Sequence, residues 1–169
     1  MEMEFCINQM KNHADMIRKL VSNLSKDQGL WKSDADIWSL LEVMNHLYRE
    51  ERGDFRAHLQ KYPSPTGAGW PPVQPTGREY DLGSLADTLQ GFLDERQKSI
   101  EWLQSLESPD WGSELEVSFV DSSRTFSMGE MLASWVAHDL LHMRQLVEVH
   151  WAYTVQGLKP YPIDYAGEW

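Results

Sequence analysis

The chain has 169 residues and a mass of 19.6 kDa, and it is 41% hydrophobic and 24% charged, the size and composition of one globular domain. With 15 Lys+Arg against 26 Asp+Glu, its formal net charge is −11 and no basic cluster offsets it, so nucleic acid is excluded as a partner by phosphate repulsion. Its one cysteine, Cys6, excludes an internal disulfide framework and a Cys-rich zinc knuckle.

The N-terminus, Met1-Glu2-Met3-Glu4-Phe5, is acidic where a signal peptide would be basic. No apolar run approaches the roughly 20 residues of a membrane span, so a soluble, cytoplasmic protein without membrane partners is expected. Cys6 has no basic neighbour in sequence and reads as an inert thiol.

Phe5, Met10, His13, Ile17, Leu20 and Leu24 recur at helical spacing and predict a first helix over about 5–24. Residues 25–32, with Gly29, break it. Ser33 or Asp34 caps the expected second helix, which runs to about Leu59 on Ile37, Leu41, Met44, Tyr48, Phe55 and Leu59. Gly53 within it costs about 1 kcal/mol against Ala. Residues 62–81 hold Pro63, Pro65, Pro71, Pro72 and Pro75 with three glycines, which forbids helix or central strand and predicts a long crossover. Trp70 in that stretch is a candidate for covering a pocket mouth.

Ser84 caps an expected third helix to about Leu106, with Leu85, Leu89, Phe92, Ile100 and Leu103 as its stripe. In residues 108–126, Leu115, Val117 and Phe119 alternate with polar residues and suggest a short extended piece. Ser127 and Glu130 form a capping-box pattern that opens a fourth helix to about Tyr153. The tail from Gly157 reads as loop. The fold expected is all-α: a four-helix bundle in a single domain over 1–169, with a long crossover loop between helices 2 and 3. A less regular all-α domain is the alternative.

Six histidines punctuate these helices. His138 and His142 lie one turn apart, on one face of the fourth helix. Met131, Trp135, Val149 and Tyr153 fall within roughly 60° of His138 on the helical wheel, so the pair sits in the buried stripe. Two buried neutral imidazoles need several hydrogen-bond partners, and a metal ion satisfies one nitrogen of each at once. Core histidines without a metal are the competing explanation, and a pair alone makes a weak site. His46 is the candidate third ligand. It lies roughly 60° outside the aliphatic arc of its helix, which suits a helix–helix seam or an ordinary surface position.

His13, on the first helix's stripe, is a competing ligand but reads better as a core histidine. His58 and His150 read as boundary residues. Glu42 and Glu50 flank His46 by one turn, as second-sphere partner, fourth ligand or general base; solvated helix charge is the plainer reading of Glu42. Gln145 follows His142 by three and can hydrogen-bond near the site. Asp139 reads as a helix-surface acid.

Two segments resemble the DinB/YfiT-like superfamily of metalloenzymes. Trp38-Ser39, Glu42, His46-Leu47 and Glu50 match its W-S-x-x-E-x-x-x-H-L-x-x-x-E pattern. His138-Asp139, His142 and Gln145 match its H-D-x-x-H-x-x-Q pattern, and Ser127 to Leu132 resemble the usual start of that helix. The resemblance spans nearly the whole chain. It implies a four-helix bundle, frequent homodimers and a three-histidine metal site of His46, His138 and His142. Activities it implies include transfer of low-molecular-weight thiols such as bacillithiol, and mycothiol-dependent maleylpyruvate isomerisation.

The expected function is therefore divalent-metal-dependent transfer of a thiol to a small electrophile, with Glu50 or Gln145 orienting the bound group. Zn²⁺ is the first metal expected; Ni²⁺, Fe²⁺ and Mn²⁺ also suit imidazole. The alternatives are a metal-dependent hydrolase, a non-catalytic metal- or small-molecule-binding stress-response bundle, and a structural dimer with incidental histidines.

Overall fold

The computed structural model describes residues 2–60, 83–118 and 123–167. The crossover expected over 62–81, Trp70 and Phe119 lie outside the described residues. In chain order the elements are α1 (Met3–Val21), α2 (Lys26–Leu30), α3 (Leu40–Gly53), α4 (Phe55–Gln60), α5 (Leu85–Gln104), β1 (Glu114–Ser118), β2 (Ser123–Ser127) and α6 (Met128–Leu158). A 3₁₀ turn, Asp164–Ala166, follows. Helices α1, α3, α5 and α6 form the bundle, with α3 packed chiefly on α5 and α1 on α5 and α6.

The second expected helix starts later than Ser33 or Asp34. Ser39 is its cap: Glu42 N–H donates to Ser39 Oγ at 3.2 Å, and Ser39 N–H donates to Glu42 Oε2 at 2.7 Å. Asp34 is used instead in a turn, accepting from Asp36 N–H. Trp38 thus stays outside the helix. The same helix also breaks at Asp54 (φ −117°, ψ −86°), beside Gly53, the residue of lowest helix propensity in it. The chain resumes as α4, which Arg56 anchors by donating to Glu95 O at 2.9 Å and Ser99 Oγ at 3.1 Å, and by pairing with the Glu95 carboxylate.

Ser84 caps α5 and Ser127 with Glu130 caps α6, as their patterns predict. Gly91 lets α5 approach α3 closely, since a Cβ there would lie 3.1 Å from the Tyr48 ring. Helix α6 continues past Tyr153 to Leu158, through Gly157, because nothing crowds or competes with that exposed last turn. The extended piece is half of a hairpin. Its antiparallel register pairs Glu114 with Ser127 and Ser118 with Ser123, and it buries Leu115 and Val117. The partner strand escapes a pattern search because Ser123, Arg124 and Thr125 are exposed and polar.

Two apolar clusters fill the bundle. One gathers Met10, Leu59, Leu103, Leu132 and Trp135; the other Ile17, Leu40, Met44, Leu47, Phe92 and Leu146. Each such side chain contributes about 1.5–3 kcal/mol on burial. Arg96 lies where the clusters meet, its guanidinium 5.0 Å from the Phe92 ring centroid and bonded to the Met10 carbonyl. No helix among the described residues is long and apolar enough to cross a membrane.

Candidate metal centre

Helical spacing puts His138 and His142 on one face of α6, and the α3–α6 seam brings His46 across to them. The three Nε2 atoms converge: His46 to His138 is 3.2 Å, and His142 to His138 is 3.0 Å. Of the two positions its place on the wheel suits, the helix–helix seam and the surface, His46 takes the seam, with its side chain 24% exposed. His142 is buried. Phe55 meets the His138 ring edge-on at 5.1 Å, and Trp38 stacks parallel to His142 at 6.4 Å while tilting against His46 at 5.2 Å. Placing Trp38 outside α3 is what allows it to wall the rings.

The opposite nitrogen of His142 has a partner that fixes its ring. His142 Nδ1–H donates to Gln145 Oε1 at 2.6 Å, so its Nε2 presents a lone pair to the cluster. His46 Nδ1 lies 3.6 Å from Glu50 Oε1, longer than a hydrogen bond but close enough for charge to be felt.

Burial holds all three rings below the usual imidazole range and favours their neutral form. Burial, with the charges His142 and His138 would carry, lowers His46 to about 3. Burial and then His142 lower His138 to about 4, and burial lowers His142. Burial, followed by the hydrogen bond and charge of Asp54, pushes Glu50 up to about 8. Burial would raise Asp54 too, but hydrogen bonds to His58 and Glu50 hold it low.

The donor set fits a divalent cation. Three imidazole Nε2 atoms facing one another this closely lack enough donors among themselves, and a shared cation would satisfy them together. Nε2 atoms 3.0 and 3.2 Å apart are close enough that His46, His138 and His142 would hold one divalent ion together. Among the described residues this is the group of three or more His, Cys, Asp or Glu whose ligand atoms lie within 4.8 Å of one another. The set leaves coordination positions for a small molecule.

The other candidates lie elsewhere. His13 is a core residue, its Nδ1 3.3 Å from Asp139 Oδ2. Asp139 is not a surface acid: it is 1% exposed, because α6 turns it inward against Arg96. His58 is buried rather than at a boundary, with Nδ1 2.8 Å from Asp54 Oδ1. His150 is half-buried, and its Nε2–H donates to Leu20 O at 2.7 Å. Glu42 serves the α3 cap and pairs with Lys32 at 2.8 Å. Cys6 is buried, and burial raises its thiol pKa, consistent with an inert role.

Sequence reasoning missed Asp54, which sits between Glu50 and His58, and the wall formed by Trp38 and Phe55. It also missed Arg96. That guanidinium donates to Glu51 and Asp139, and Trp135 Nε1–H donates to Glu51 Oε2 at 2.8 Å. Burial alone would lower the Arg96 pKa, but the two carboxylates hold it above its usual value.

Comparison with known proteins supports the fold and the family. The chain resembles the solved structure of YfiT from Bacillus subtilis with a TM-score of 0.70 and 13% identity, over 90% of this chain and 88% of that one. YfiT is described as "a probable metal-dependent hydrolase with an unusual four-helix bundle topology". No curated protein matches the chain in sequence. The sequence signature of the DinB superfamily matches residues 9–146, a span that takes in all three clustered histidines, and the chain belongs to that superfamily.

Proposed function

We propose that the chain is a divalent-metal-dependent enzyme that transfers a low-molecular-weight thiol to a small electrophile, with His46, His138 and His142 as metal ligands. The meeting of three Nε2 atoms within 3.0–3.2 Å of their neighbours carries this reading. A divalent ion held there supplies Lewis acidity, which lowers the pKa of a thiol or water. Zn²⁺ is the first choice, and Ni²⁺, Fe²⁺ and Mn²⁺ suit the same ligands.

The protein's own groups do the rest. Gln145 holds the His142 ring by its Nδ1–H. Trp38 and Phe55 pack beside the rings and limit how they can turn. Glu50, pushed up to about 8, gains and loses a proton at Oε1 near neutral pH, as a general base requires. In thiol transfer the sulfur bonds to the electrophilic carbon, the thiol proton passes to Glu50 or solvent, and the leaving group departs with its electron pair. The likeness to YfiT favours a second reading, hydrolysis, in which Glu50 takes the proton of the attacking water.

Protein purified without chelator is expected to carry about one tightly bound divalent ion per chain by elemental analysis, and His138→Ala to lose it. Full occupancy in that variant refutes the ligand assignment. Metal-loaded protein with a panel of thiols is expected to form bimane adducts from monochlorobimane. Hydrolysis of ester or amide substrates without adduct formation selects the second reading. Metal binding without either turnover makes the chain a binding protein.

A further inference from the structure

We infer that Arg96 is a positioning residue that sets the spacing of the three histidines, although it stands on a helix carrying none of them. The inference rests on the reading of His46, His138 and His142 as a metal-binding set.

Its ground is geometric. Arg96 is 2% exposed and commits all five N–H donors to the protein. Nε–H and Nη2–H donate to Glu51 Oε1 and Oε2 at 3.0 and 2.9 Å. Nη1–H and Nη2–H donate to Asp139 Oδ2 and Oδ1 at 2.6 and 2.8 Å. The last Nη1–H donates to Met10 O at 3.2 Å. Each carboxylate is the chain neighbour of a site residue. Glu51 follows Glu50 on α3, the helix of His46; Asp139 follows His138 on α6.

A guanidinium is planar and its forks are rigid, so two bidentate pairs fix distance and angle together. One edge of Arg96 grips α3 and the other grips α6, the two helices that must bring their histidines to a common point. Trp135 of α6 donates to Glu51 of α3 and repeats that link. Met10 and His13 bring α1 to the same centre. A displacement of about 1 Å between α3 and α6 would spoil Nε2 separations that a metal tolerates only within narrow limits. Apolar side chains replacing Arg96, Glu51 and Asp139 together would fill the space at no less stability. What the network adds over an apolar core is a single allowed placement of α3 against α6.

Arg96→Lys tests the inference, because an ammonium keeps the charge but cannot make both forks. Zn²⁺ affinity, read by competition with a chromophoric chelator, is expected to fall about tenfold to hundredfold, the range for residues that orient metal ligands. The visible bands of the Co²⁺-loaded variant are expected to shift or broaden. Ile17→Ala opens a cavity in α1, which carries no ligand, and is expected to lower Tm while leaving Zn²⁺ affinity within about threefold. An Arg96→Lys protein that melts cooperatively with wild-type affinity and spectrum overturns the inference and leaves the three-histidine site standing. A wild-type protein that binds no Zn²⁺ removes that site, and the inference with it.

Should Arg96→Lys not fold, the wild-type protein decides. Coupling between site and network is reciprocal, so Zn²⁺ loading is expected to shift the Arg96 Nε–H resonance and slow its exchange with solvent. An unmoved resonance overturns the inference.

Discussion

Replacing Arg96 by Met removes the cation at the centre of the bundle and leaves Glu51 and Asp139, each 1% exposed, facing each other across an apolar gap. Five hydrogen bonds go at once. Trp135 and His13 keep one contact each to the stranded carboxylates, too few to solvate them. Removing one partner of a buried ion pair costs about 3–5 kcal/mol, against a domain's total of about 5–15. For a chain of this length that corresponds to a Tm loss of roughly 6–20 °C. Urea titration followed by tryptophan fluorescence measures the difference directly. The triple variant Arg96→Met, Glu51→Leu, Asp139→Leu removes the charges together and is expected to recover most of the loss. A loss below about 1 kcal/mol in the single variant, or a triple variant worse than the single, would refute the electrostatic account of this centre.

Ser39→Ala removes the α3 cap and is expected to cost about 1 kcal/mol, lowering Tm by a few degrees in a thermal melt. It also frees Trp38 to move, so quenching of tryptophan fluorescence by acrylamide should increase. Glu95 has its pKa lowered: burial would raise it, but hydrogen bonds and charge from Lys98 and Arg56 prevail. Its stabilising contribution is therefore present above the unfolded value of about 4.3 and lost as pH falls through the folded value. Glu95→Gln is expected to cost roughly 1–3 kcal/mol at pH 7 and much less near pH 3, as measured by urea melts at both. An equal cost at both pH values would show that the carboxylate charge is not what anchors α4.

Much of the architecture was legible because it is local. Apolar residues at steps of three and four mark the faces of α1, α5 and α6, and Ser84 and Ser127 mark two helix starts by the hydrogen bonds they make three residues on. The pair His138 and His142 needs only helical geometry to share a face. Local patterns misplaced the start of α3, where two acceptable caps preceded Ser39, and its break at Asp54, which Arg56 stabilises from a partner on α5.

The sequence by itself determined most of the residues that line each helix face, although Phe5 and Ile37 of the expected stripes are exposed and Asp139, read as a surface acid, is buried. It could not determine how far one helix lies from another, since that distance depends on every side chain at the seam. His46 reached the site only through the docking of α3 on α6. Arg96 shows the same limit: it interrupts the stripe between Phe92 and Ile100, as Glu51 does between Leu47 and Phe55 and Asp139 between Trp135 and Met143. Each alone looks like a flaw in an apolar pattern. Only when folding brings the three together does each charge find partners strong enough to keep it buried.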